Sequence, residues 1–140
     1  MSHSARYERG LAKFGEMYGD LAKTFLASLE DVAPDLGTYV MEFAFGDIHC
    51  RPGLSLASRE IATVAALTAL GTAEPQLRAH IDGALNVGCT EQEVVEVIMQ
   101  MALYAGFPAA LNAMQIAREA FQKRSLTKNR GKKIRRQNQN

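Results

Sequence analysis

The segment Thr90-Glu91-Gln92-Glu93-Val94-Val95-Glu96-Val97-Ile98-Met99-Gln100-Met101-Ala102-Leu103-Tyr104-Ala105-Gly106-Phe107-Pro108 contains one whole helix and the opening of the next. Thr90 and Glu93 have capping-box spacing, in which a hydroxyl and a carboxylate satisfy backbone N–H groups left open at a helix start. Val94, Val97, Ile98 and Met101 then recur on one helical face. Gly106 can stop this helix, and Pro108 can open another, because a proline in the first turn gives up no hydrogen bond.

The same signals recur along the chain. Ser4 can cap a first helix that ends near Gly19, and Asp20 a second that runs to about Asp31. Pro34 suits the first turn of a third, which carries Tyr39, Val40, Phe43 and Ala44 and is expected to end near Asp47. The stretch 49–54 contains Arg51-Pro52-Gly53 and reads as a loop. Ser55 or Ser58 begins a fourth helix, and Gly71 ends it. Pro75 opens a fifth with Leu77, Ile81, Ala84 and Leu85 on one face, and Gly88 closes it. A seventh helix is expected from Pro108 to about Lys123. No window alternates like a strand between hairpin signals. The expected fold is all-α: a single-domain bundle of six or seven helices over residues 1–123.

A chain of 140 residues suits one domain, and a domain of this size can bury a core without disulfides or metal. Its apolar residues are mostly Ala, Leu, Val, Ile and Met, a mixture that favours helices. The net charge of +1 hides a division. Eight of the 16 basic residues lie between Lys123 and Arg136, and no acid follows Glu119. Residues 1–122 therefore hold 8 bases against 15 acids, a net of −7. Residues 124–140 read as a disordered basic tail that cannot bury enough apolar surface to offset ordering. Such a tail could bind nucleic acid or an acidic partner, but its simplest role is solubility. It has no aromatic side chain to stack a base, which disfavours a nucleic-acid partner.

The two cysteines, Cys50 and Cys89, form no CxxC pair, and no Cys/His group has metal-ligand spacing. The N-terminus lacks a secretory apolar core, since Arg6, Glu8 and Arg9 arrive early. The longest strongly apolar run, Ile61–Leu70, is too short to cross a bilayer. These features predict a cytoplasmic protein with free thiols and no membrane partner. Val64-Ala65-Ala66-Leu67 and Val94-Val95 make the fourth and sixth helices apolar on more than one side, which predicts self-association.

Several segments, taken in order, resemble the carboxymuconolactone decarboxylase family. They are Tyr7-Glu8-Arg9-Gly10, Glu42-Phe43-Ala44-Phe45-Gly46-Asp47, Arg51-Pro52-Gly53-Leu54 and Ser58-Arg59-Glu60. His80-Ile81-Asp82-Gly83-Ala84-Leu85-Asn86-Val87-Gly88, Glu93-Val94-Val95-Glu96-Val97 and Tyr104-Ala105-Gly106-Phe107-Pro108-Ala109-Ala110-Leu111-Asn112 complete the set. The resemblance implies an all-helical fold assembled as a ring, a trimer or hexamer. It also implies one of two chemistries. One branch, similar to the alkyl hydroperoxide reductase partner proteins, uses a CxxC dithiol with a Glu upstream and a His just after. The other lacks the dithiol and includes the cofactor-free enzyme that converts 4-carboxymuconolactone to 3-oxoadipate enol-lactone and CO₂. This chain keeps the Glu and the His as Glu60 and His80, but has Gly71-Thr72-Ala73-Glu74-Pro75-Gln76 between them. Thiol exchange needs an attacking and a resolving thiol, so the missing pair disfavours the redox branch.

Loss of CO₂ from an activated lactone needs a group to hold carboxylates, stabilisation of a developing oxyanion and a proton donor. No cofactor and no metal is expected, and the partner would be a small lactone or carboxylic acid; the alternative without catalysis is a helical oligomer that binds a small ligand. His80 is the candidate acid, since an imidazole ordinarily titrates near about 6.5. A lone His between Leu77 and Ala84 also fits a structural role. Glu60 shares a helical face with Val64 and Leu67, where a carboxylate needs a partner. It could orient His80, act as a base, or pair with Arg59 or Arg78. Arg51, Arg59 and Arg78 could hold substrate carboxylates through their planar forks, or simply be solvated. Tyr104 and Asn112 flank the Gly106-Phe107-Pro108 turn and could enter a pocket or bond a helix end. Glu42 is a second candidate carboxylate. His3 reads as part of a disordered terminus, and His49, Cys50 and Cys89 as ordinary side chains.

Overall fold

The computed structural model describes residues 4–137, with side chains through Gly131 and at Ile134. His3 lies outside the described residues. Among those described, every regular element is helical. They are α1 (Ala5–Tyr18), α2 (Leu21–Ala27), α3 (Pro34–Tyr39) continued by a π-helix (Val40–His49), α4 (Leu56–Leu70), α5 (Glu74–Asn86), α6 (Glu91–Ala105) and α7 (Phe107–Gln137). The all-α expectation stands. The chain forms two compact units, one reaching to Arg59 with Asn86–Gly88, the other holding Glu60–Leu85 and the chain from Cys89 onward.

In the first unit, Ser4 caps α1 by accepting from the Tyr7 N–H, and Gly19 ends it at φ +62°. Asp20 stands at the start of α2 without a side-chain capping bond. That helix stops at Ala27, short of the expected Asp31. There the Ser28 hydroxyl donates to the Phe25 carbonyl at 2.6 Å, the local bonding by which serine competes with helix continuation. The third helix changes winding at Val40 and runs on to His49, past the expected end at Asp47.

The π-helical stretch meets α1 backbone to backbone. A Cβ on Gly10 would lie 1.8 Å from the Met41 carbonyl oxygen, and one on Gly46 would lie 2.6 Å from the Arg6 carbonyl oxygen. Only glycine permits that approach. Beside it, Tyr7, Phe14, Met17, Tyr18, Met41 and Phe45 form a buried core. The Phe14 ring lies 4.9 Å from those of both Tyr18 and Phe45, the spacing of favourable tilted aromatic pairs. At the rim, Arg6 holds Asp47 through contacts of 2.5 and 3.2 Å, and Arg9 donates to the Gly46 carbonyl at 2.8 Å.

In the second unit, α6 begins with the expected capping box. The Glu93 N–H donates to the Thr90 hydroxyl at 3.1 Å, and the Thr90 N–H donates to the Glu93 carboxylate at 2.7 Å. Gly106 ends α6 at φ +86°. Val64 of α4, Ile81 of α5, Val94 and Ile98 of α6, and Ala117 of α7 are fully buried. α7 packs on α6 and continues to Gln137, beyond the expected end at Lys123. The segment read as a disordered tail is therefore helical through Gln137. Lys, Arg and Gln are good helix formers, no proline follows Pro108, and extending an existing helix needs no new nucleus.

Candidate active site

Glu60 leads a buried row on α4, followed by Val64 and Thr68 at successive i+4 steps. The sequence placed Leu67 on that face; the structure buries Thr68 more deeply. On α5, Leu77, Ile81 and Ala84 turn inward, and His80 stands at the edge of their stripe, partly exposed. This brings His80 Nδ1 to 3.0 Å from Glu60 Oε2 and 3.3 Å from Oε1. The Glu60 side chain is 0% exposed and that of His80 is 22% exposed.

A carboxylate out of reach of water is costly unless bonded, and the imidazole is a partner that answers that cost. With the proton on Nδ1, the carboxylate would accept from it and fix the tautomer and the plane of the ring. Nε2 is then the nitrogen that can carry a proton to another molecule. A buried carboxylate on one ring nitrogen and an edge position for the imidazole make a geometry that a supported general acid–base would use.

Arg78, one of the two arginines that the sequence offered to Glu60, pairs with Glu119 across α5 and α7, and its guanidinium holds the Glu119 carboxyl below its ordinary range. Arg59 donates to the Arg51 carbonyl at 2.8 Å. Arg51 is exposed. Glu42 accepts from the Ser4 hydroxyl and lies 3.6 Å from Arg6, so it ties the start of α1 to the π-helix. Tyr104 is 78% exposed on α6. Asn112 lines a shallow depression with Thr68, Leu77 and Ile116. Of the predicted residues, the structure joins Glu60 to His80 and Arg51 to Arg59.

Cys50 and Cys89 are free thiols. Burial, followed by the charges of Glu93 and Glu60, pushes the Cys89 thiol above its ordinary range, which opposes a reactive thiolate. The nearness of Cys89 to Glu60 had no sequence signal. Among the described residues no three His, Cys, Asp or Glu side chains gather as a metal cluster would, and no helix is long and apolar enough to cross a membrane.

Comparison with known proteins agrees with the pattern in the chain. It is 38% identical over 122 residues to the 4-carboxymuconolactone decarboxylase of Acinetobacter baylyi, covering 86% of this chain and 90% of that protein. An uncharacterized 15.0 kDa protein of Paracoccus denitrificans is 35% identical over 97 residues, 69% of this chain and 72% of that one. The nitrosuccinic acid decarboxylase of Metarhizium robertsii is 32% identical over 80 residues, 57% of this chain and 55% of that protein. The profile of the Carboxymuconolactone decarboxylase family matches residues 34–119, a span that includes both Glu60 and His80. That match, together with a relative aligned over most of both chains, establishes that this protein belongs to the carboxymuconolactone decarboxylase family.

Proposed function

We propose that the protein is a cytoplasmic carboxy-lyase that removes CO₂ from a small carboxylated lactone such as 4-carboxymuconolactone, leaving an enol-lactone. The observation that carries this reading is the Glu60–His80 pair, a buried carboxylate holding an edge imidazole through Nδ1. Two relatives with decarboxylase names support the reaction class. In the proposed reaction the bond to the departing carboxylate breaks and its electron pair passes into the ring as an enolate-like anion. His80 Nε2 delivers a proton to carbon and is reprotonated from solvent, while Glu60 keeps the ring oriented. Arg51, Arg59, Arg78, Tyr104, Asn112 and Glu42 are the proposed substrate contacts. We further propose that the protein works as a ring of copies, a trimer or hexamer. Leu103, Tyr104 and Phe107, between 73% and 80% exposed around the α6–α7 turn, support a buried surface between copies.

The test is CO₂ release from 4-carboxymuconolactone generated in situ, with and without chelator and reductant. Release insensitive to both is expected. His80→Ala should lower kcat by about 10²–10⁴-fold, the usual contribution of a general acid, with helix content unchanged. Full activity in that variant would remove His80 from the reaction. No release by the wild-type chain would remove this substrate.

A further inference from the structure

Two polar side chains lie buried on the inward row of α4, Glu60 and Thr68, with Val64 between them. They stand two i+4 steps apart, roughly 12 Å along the helix. Glu60 has His80 as its partner. Thr68 is 1% exposed, and its hydroxyl makes no hydrogen bond to any protein atom. It does not even take the carbonyl one turn back, a bond that a helical threonine often makes. A polar group buried in that state is costly, and valine would fill the same shape without the cost. The hydroxyl therefore calls for a partner from outside the chain.

Thr68 opens on the shallow depression described above, where the end of α4, the start of α5 and the first turns of α7 meet within the second unit. Leu67, Leu77 and Ile116 give it apolar walls. Glu74 and Asn112, both exposed, are the other polar side chains that line it. The room inside is about 10 Å³, close to that of one water-sized sphere. These features select the occupant. No residue that lines the depression is basic, and the Glu74 carboxylate repels an anion. One carboxylate is too few to hold a hard cation, which takes six or more oxygens. A neutral group that can both donate and accept suits the space and the hydroxyl. We infer that the depression is a binding site for one neutral, hydroxyl-sized group held by Thr68 Oγ1, either an ordered water or the hydroxyl of a small alcohol. Its occupant ties α7 to the ends of the two helices that carry Glu60 and His80. The depression includes neither of those residues, and the inference is independent of the proposed reaction.

The test joins thermal unfolding of full-length Thr68→Val with a crystal structure of the wild type grown without alcohols. In Thr68→Val the shape is kept and the occupant loses its bond, so the melting temperature should fall by about 3–6 °C. The wild-type map should show a compact peak about 2.8 Å from Thr68 Oγ1. The same crystals soaked in 1-propanol separate the two sources. A peak that stays compact marks water, and density that lengthens along Leu77 and Ile116 marks an organic hydroxyl. An unchanged or higher melting temperature in Thr68→Val would overturn the site, because removing a hydroxyl that binds nothing relieves a cost. A wild-type map empty beside Oγ1 would overturn it as well.

Discussion

Two carboxylates in this molecule hold basic partners in opposite surroundings. Asp47 lies at the rim of the contact between α1 and the π-helix, in reach of water, and takes Arg6 and Arg9. Glu60 is sealed from water and takes His80. At the rim, the charges decorate a contact already made by glycine backbone and aromatic rings. Inside, the pair has no such excuse, because a buried ionic group is poor value for stability against an apolar replacement. The difference separates a pair that decorates a packed contact from one whose burial calls for another reason, which the proposed reaction would supply.

The widest separation between the two should come from cutting Glu60. Glu60→Ala removes the buried carboxylate from the imidazole and opens a cavity, and thermal or denaturant unfolding should show a loss of about 3–5 kcal/mol. Glu60→Gln keeps the volume but presents an amide to Nδ1. It should retain the fold and lower kcat by about 10–100-fold, the usual effect of removing an orienting partner. A Gln variant with full activity would make the pair merely structural. Gly10→Ala should be the heavy lesion in the first unit, since its Cβ meets the Met41 carbonyl at 1.8 Å. A loss of about 3 kcal/mol or more in unfolding is expected, and wild-type stability would mean that the helices do not meet as described.

Asp47→Asn should have the smallest effect. The hydrogen bond from Arg6 holds the Asp47 carboxyl below its ordinary range. A depressed carboxyl adds stability above its unfolded pKa, and that stability is lost as pH falls through the folded value. The wild type should therefore exceed Asp47→Asn slightly near neutral pH and low salt. The two melting curves should converge in acid or at high salt. A gap that widens in acid would contradict this assignment.

The sequence made α6 legible from end to end, because its capping box and its glycine stop act within a few residues. It also offered Glu60 and His80 as a pair, through a resemblance that quoted both. What it could not show were events between distant backbones. Gly10 and Gly46 read as ordinary helical glycines until α1 and the π-helix meet. Nothing local at Val40 announces a change of winding. The early end of α2 turns on one serine hydroxyl. The tail misled because its composition, judged alone, is that of a chain that cannot order itself, whereas here it continues a helix already formed.

The winding of Val40–His49 sets a limit of another kind. A helix closed by i→i+5 bonds fits more residues into each turn than one closed by i→i+4 bonds. Deleting one residue there would let the segment return to ordinary winding, yet every later residue would turn by about 100° around the axis. Gly46 would swing away from the Arg6 carbonyl, and a residue with a Cβ would take its place. Composition alone therefore does not define this segment. Its residue count is part of its specification, and insertions or deletions should be tolerated in the exposed turn after His49 far sooner than within the ten residues before it.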